Sequence, residues 1–234
     1  MTRSELINDI IRRHNYKSYL EIGVNTPAQP GYSHENIKVD LKHGVDPAVN
    51  TTFKMESDVF FSDHISQKYD LIFIDGLHIF EQAYRDIVNG LRNLSEGGTI
   101  VVHDCNPIEE ITQMRERVSN SWHGDVWKAI LKLRVENPNV EILTVDSDEG
   151  CSIIRRGHQV LLSFSEDDDI YSFNFFNKNR DTILNLISVE DYEKKFGQVE
   201  KILNLEKKTF SLLRPILFKY FAYIKKVAKK IFFK

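Results

Sequence analysis

The sequence predicts an open α/β sheet, mostly parallel, with its last strands forming an antiparallel pair and a helical extension behind it. Three observations carry this. Short apolar runs recur, each closing on a polar cluster, at Ser18–Gly23, Asn36–Leu41, Tyr69–Asp75 and Thr99–Asp104. The last two show little alternation, as expected of parallel strands buried on both faces. Between them Ile79–Leu94 has helical periodicity through Phe80, Tyr84, Ile87, Leu91 and Leu94.

The elements follow in order. Thr2 and Glu5 fit a capping box for a helix over 2–14, with Leu6, Ile7, Ile10 and Ile11 at helical spacing. The runs at 18–23 and 36–41 are the first two strands. Helix 79–94 stops at Ser95-Glu96-Gly97-Gly98, a glycine turn. Strand, helix and strand in turn imply a right-handed parallel crossover. A further helix runs from about Gly124 to Glu136, capped by Asp125. Strands at Val140–Val145 and Cys151–Arg155 flank Asp148-Glu149-Gly150, short enough for a hairpin. This puts the sheet domain at 1–158, a helical and loop extension at 159–206, and a basic tail at 207–234. Glu166–Asp169 reads as a solvated acidic loop.

Composition narrows the function. Apolar residues are 41% and charged residues 28%, an ordinary globular balance. Cys105 and Cys151 are too few for a disulfide framework or a Cys-rich zinc site. The N-terminus lacks an apolar signal core, and no uncharged apolar run reaches the roughly 20 residues of a membrane span. The expected location is the cytoplasm or the inner face of its membrane. Residues 207–234 hold nine Lys/Arg and no acid, leaving 22 basic against 34 acidic residues, a charge of −12, before them. So acidic a body does not suit phosphate tracking, and nucleic acid is not expected as a partner.

In open parallel sheets, ligands bind beyond the carboxyl ends of the strands. The residues expected there are Glu21 and Gly23–Asn25, Asp40, Asp75–His78 and His103–Asn106. A G-x-G-x-x-G fingerprint is missing, because Gly23 is followed by Val24, Asn25, Thr26 and Pro27. That argues against a nicotinamide oxidoreductase. His78 is the candidate general base, since an ordinary histidine pKa near 6.5 suits proton removal at neutral pH. Its alternative is a capping or core histidine. Trp122 and Trp127, near His123, Asp125 and Lys128, could form a sugar-stacking wall; alternatively Trp127 is core and Asp125 a cap.

Glu21-x-Gly23, Asp40, Met55-Glu56-Ser57-Asp58, Ile74-Asp75-Gly76-Leu77-His78 and Gly97–Asp104 together resemble class I S-adenosylmethionine-dependent methyltransferases. More narrowly, they are similar to the small O-methyltransferases of glycan and antibiotic biosynthesis. The resemblance spans about residues 16–157 and implies a Rossmann-like sheet of seven strands, mostly parallel, with an antiparallel last strand. It implies Glu21 and Gly23 beside the methionine part of S-adenosylmethionine, Asp40 on the ribose, and Ser57 and Asp58 beside the adenine; Asn25 and Asp75 complete the expected cofactor set, Asn25 standing in the first loop where relatives often have a second glycine. In metal-dependent relatives resembling catechol O-methyltransferase, acids after the fourth and fifth strands hold Mg²⁺ and the substrate oxygens. Asp75 and Asp104 match those places, with Asn106 as a third oxygen ligand. Relatives resembling macrocin O-methyltransferase carry two adjacent acids where this chain has His103-Asp104.

The expected catalytic set is thus His78, Asp75, His103 and Asp104, with S-adenosylmethionine and a divalent cation such as Mg²⁺ as cofactors. The expected acceptor is a sugar or glycan precursor of surface polysaccharide; a small phenol or polyketide stays open. A non-catalytic module of the same fold, recruited by its tail, is the competing class. Within 216–234, Ile216, Leu217, Tyr220, Phe221, Ile224, Val227, Ala228 and Ile231 fall on one helical arc with lysines opposite, the pattern of an in-plane membrane anchor, so membrane contact is expected through 210–234. Packing on the chain's own acidic domain or on a second subunit of an oligomer is the alternative.

Overall fold

The computed structural model describes residues 1–28 and 32–197. The tail at 207–234, and with it the expected amphipathic helix, lies outside the described residues. The chain divides into two units, Met1–Val189 and Glu190–Lys234. The described part of the second, residues 190–197, is helical.

The first unit is built from α1 (Arg3–His14), β1 (Ser18–Ile22), β2 (Leu41–Val45), the short α2 (Ser57–Val59), β3 (Tyr69–Ile74), α3 (Phe80–Asn93), β4 (Leu94–Val102), α4 (Trp127–Glu136), β5 (Val140–Val145), β6 (Cys151–Arg156), α5 (Phe173–Leu184) and β7 (Leu186–Ile187). One sheet holds all seven strands in the order β2-β1-β3-β4-β6-β5-β7. β2, β1, β3 and β4 run parallel, β6 is antiparallel to both β4 and β5, and β7 lies parallel to β5. The expected sheet is therefore present. Its antiparallel member is β6, the strand expected at Cys151–Arg155, and the short β7 follows it parallel to β5.

Burial follows the sequence pattern. Leu71, Ile72, Phe73, Ile100 and Val101 have no exposed surface, which explains the unbroken apolar runs. The capping box at Thr2 and Glu5 forms as expected. α3 starts without a side-chain cap of its own. Instead the buried Asp125 accepts the Phe80 backbone N–H at 2.7 Å, from a loop far along the chain. Asp125 thus caps α3 and not α4, which begins later than expected, at Trp127.

Two further expectations change. The second strand is Leu41–Val45, not 36–41, so Asp40 precedes it at the end away from ligand sites. Residues 159–189 belong to the same unit as the sheet, since β7 extends it and Phe176 of α5 stacks on Trp127 at 4.3 Å. Trp127 is fully buried core. Cys105 and Cys151 are buried free thiols, each pushed up to about 12 by burial.

Candidate active site

The carboxyl ends of β1, β2, β3 and β4 open into one cleft of about 1900 Å³. Backbone bonds hold its floor in register beyond the strands. Gly23 N–H donates to Val45 O, Asp75 N–H to Ile22 O, and His103 N–H to Ile74 O, all near 3 Å. Gly23, Asn25, Ser57, Asp58, Asp75, His78, His103 and Asp104 all line the cleft.

The first loop is set by an acid the sequence reading passed over. Asp46 follows β2 and its Oδ2 accepts the Val24 and Asn25 backbone N–H groups at 3.1 and 3.2 Å. Its Oδ1 accepts those of Ala48 and Val49. Asp40, expected on the ribose, is instead largely exposed and paired with Lys17 at 3.2 Å. Glu21 is buried below the loop, where Tyr19, Ser33 and His34 occupy its carboxylate at 2.9, 3.3 and 2.6 Å. It braces the loop and does not face the cleft. At the far side of the cleft Gln82 donates to Ser57 Oγ, Asp58 and Asp86. Asp86 is buried in α3, and burial is the chief cause that pushes its carboxyl up to about 6.

The other end of the cleft is an ionic cluster. His78 Nε2 lies 3.2 Å from Asp75 Oδ1, and its Nδ1 3.2 Å from Asp104 Oδ2 and 3.1 Å from the Trp122 carbonyl. Its ring stacks on Trp122 at 5.0 Å. His103 Nδ1 faces Asp75 Oδ1 at 3.3 Å and Asp104 Oδ1 at 3.1 Å, and its Nε2 faces Asp148 at 3.5 Å. Neither His103 nitrogen has a hydrogen bond of good geometry, although the ring is buried. Burial disfavours both imidazolium forms, but the carboxylates outweigh it and raise both pKa values. Burial likewise favours a neutral Asp75, and His103 and His78 overcome it, holding this carboxyl far below the usual range. The carboxylates thus make His78 a stronger base than its sequence alone suggests.

Three side chains missed from sequence complete the cluster. Arg3 Nη1 lies 2.7 Å from Asp75 Oδ2, while its Nε and Nη2 bond Asp148 at 3.1 and 3.0 Å. Asp148 reaches the cleft because Asp148, Glu149 and Gly150 all take left-handed backbone, φ 45, 64 and 86°. Glu149 in turn holds the buried His123 at 2.7 Å. The hairpin turn was legible; the return of its acids over the strand ends was not.

Asp75, His78 and Asp104 each offer a ligand atom, all within 4.8 Å of one another, and are the residues that could hold a divalent ion. The fit is poor as arranged. Both Asp75 oxygens are engaged, one by Arg3 and one by the histidines. Asn106, expected as the third ligand, turns away: its Oδ1 accepts from Arg180 and its Nδ2 donates to Asp146 at 3.0 Å.

The architecture is that of a Rossmann-like α/β sheet with an open cleft across the strand ends. A methyltransferase-domain family model matches residues 9–105. Among solved structures, similarity extends to a Staphylococcus aureus protein described as a caffeoyl-CoA O-methyltransferase, with 20% identity over 66% of this chain and 82% of that one, TM-score 0.49. The Podospora anserina methyltransferase PaMTH1 bound to SAH has 17% identity over 66% and 78%, TM-score 0.48. The Bacillus cereus O-methyltransferase bound to SAH has 13% identity over 66% and 80%, TM-score 0.47. No curated protein matches the chain in sequence. Residues 9–105 are thus similar to a methyltransferase domain.

Proposed function

We propose that this chain transfers the methyl group of S-adenosylmethionine to a hydroxyl of a sugar or glycan precursor. The observation that carries this reading is the convergence of Asp75, His78 and Asp104 at the end of the cleft beside Trp122. The cleft, at about 1900 Å³, exceeds the roughly 300–1,000 Å³ of a single small-ligand pocket, so it has room for cofactor and acceptor together. S-adenosylmethionine would run from the Ser57–Asp58 side, across the Asp46-ordered loop at Gly23, to the His78 cluster.

The acceptor oxygen attacks the methyl carbon, the carbon–sulfur bond breaks, and its electron pair stays on sulfur as a thioether. The hydroxyl proton passes to His78, whose imidazolium is stabilised between Asp75 and Asp104. The face of Trp122 suits a sugar ring. The exposed Leu77 and Met114 favour a second reading, a small phenolic or polyketide acceptor.

Titration with S-adenosylmethionine and NADH separates the class, with binding of the first alone expected. Labelled S-adenosylmethionine offered with sugar nucleotides or with catechols separates the acceptors. The Phe- and Lys-rich composition of 210–234 supports peripheral contact with an anionic membrane. Among the described residues no helix is long and apolar enough to cross one. Salt-sensitive pelleting with anionic vesicles, lost on truncation at 209, is the expected result.

A further inference from the structure

We infer that Arg3 is the resident cation of this site, occupying the place a divalent ion would take, so that Asp75 is held for catalysis by a guanidinium and not by a metal. The inference rests on the cleft being the methyl-transfer site and adds how its acids are neutralised.

The argument begins at the N-terminus. Thr2 and Glu5 fix the first turn of α1, and Leu6, Ile7, Ile10 and Ile11 bury its inner face. This leaves Arg3 no freedom to swing away, and its side chain is only 14% exposed over the cleft. A guanidinium presents donors in a planar fork, and here the fork spans two carboxylates from different elements. Its Nε and Nη2 take both oxygens of Asp148, and Nη1 takes Asp75 Oδ2 at 2.7 Å. The Arg3 backbone N–H adds a further bond to Asp148 at 2.6 Å. Burial works against the charge, yet the acids more than compensate and keep Arg3 firmly protonated.

The two occupants exclude one another. Mg²⁺ demands oxygen ligands at about 2.0–2.1 Å in near-octahedral order and keeps its own waters. An ion on Asp75 and Asp104 would sit against the guanidinium, and like charges at about 4 Å repel strongly in a partly buried site. Nor does the rest of the expected ligand set compensate. Asn106 is committed to Arg180 and Asp146, and the position before Asp104 is His103, which faces the same carboxylates. Arg3 acts through Asp75 and is a positioning residue: it fixes one oxygen so that the other stays aimed at His78 and His103.

Mn²⁺ binding to the full chain, followed by electron paramagnetic resonance, tests this. The wild type should leave Mn²⁺ free, and R3M should bind one ion at least roughly tenfold more tightly, because two carboxylates lose their cation. R3K should behave as wild type, and adding D104N to R3M should abolish the ion. R3Q, which also removes the charge but keeps a polar, helix-compatible side chain, should gain Mn²⁺ affinity in the same direction; it decides the matter if R3M fails to fold. Mn²⁺ binding by the wild type as tight as by the variants, or none by any of them, overturns the inference. SAH titration of the same samples is a separate readout: loss of SAH binding by the wild type would overturn the cleft assignment itself.

Discussion

The Asp75 carbonyl oxygen stands 2.2 Å from where a Cβ on Gly23 would lie, and Gly23 itself has φ +85°. The end of β1 is thus pressed against the end of β3, and only a residue without a side chain fits the turn. Gly23→Ala has to push apart the two strand ends that carry cofactor and acid. It should destabilise the fold by about 2–4 kcal/mol and weaken SAH binding in the fraction that folds. Urea unfolding and calorimetric titration check the two effects separately.

Asp46 orders the Gly23 loop through Val24 and Asn25, whereas among the described residues Asp40 pairs with surface Lys17. Asp46→Ala should therefore weaken SAH binding by about 1–3 kcal/mol, as for a lost set of charged hydrogen bonds. Asp40→Ala should leave it unchanged. Equal losses in the two variants, measured by titration, would restore the ribose role to Asp40.

This pair also shows where sequence reading fails. Val39-Asp40 and Val45-Asp46 are the same dipeptide six residues apart, and each can end a strand. The choice is made by long-range pairing: Ser18–Ile22 registers with Leu41–Val45. No local pattern contains that. β3 and α3 were legible within one residue because their patterns are local. Asp75, His78, His103 and Asp104 were legible as a group because strand ends converge by topology. Arg3 left no signal, since a basic residue in a first helical turn reads as solvated surface. Asp148 read only as turn, because its position over the cleft depends on three successive left-handed residues.

His78 is held by Asp75, Asp104 and Trp122, and its own carbonyl lies 1.7 Å from where a Cβ on Gly124 would sit. His78→Asn should cut methyl transfer by roughly 10²–10⁴-fold with little change in SAH affinity. Gly124→Ala, which displaces the same loop without touching the ring, should lower turnover in the same direction. Near-normal single-turnover rates in both would move the base to His103.

Asp86 gives the fold a pH dependence of opposite sign to that of a paired acid. Its carboxyl is buried in α3, and desolvation raises it to about 6, against hydrogen bonds from Ser57 and Gln82 that lower it. The folded chain therefore holds this proton after the unfolded chain has lost its own, near the usual Asp value of about 3.9. Where the native state binds more protons, stability falls as pH rises. The loss should begin near pH 4, accumulate to about pH 6, and stay constant above. Asp86→Asn keeps an oxygen for the Gln82 amide at 3.0 Å and removes the charge. The variant should be more stable than wild type by about 1–3 kcal/mol at pH 8, with the gain vanishing at pH 4. Urea unfolding at both values checks the sign. A gain that is the same at pH 4 and pH 8 would show that the Asp86 carboxyl titrates alike in the folded and unfolded chain.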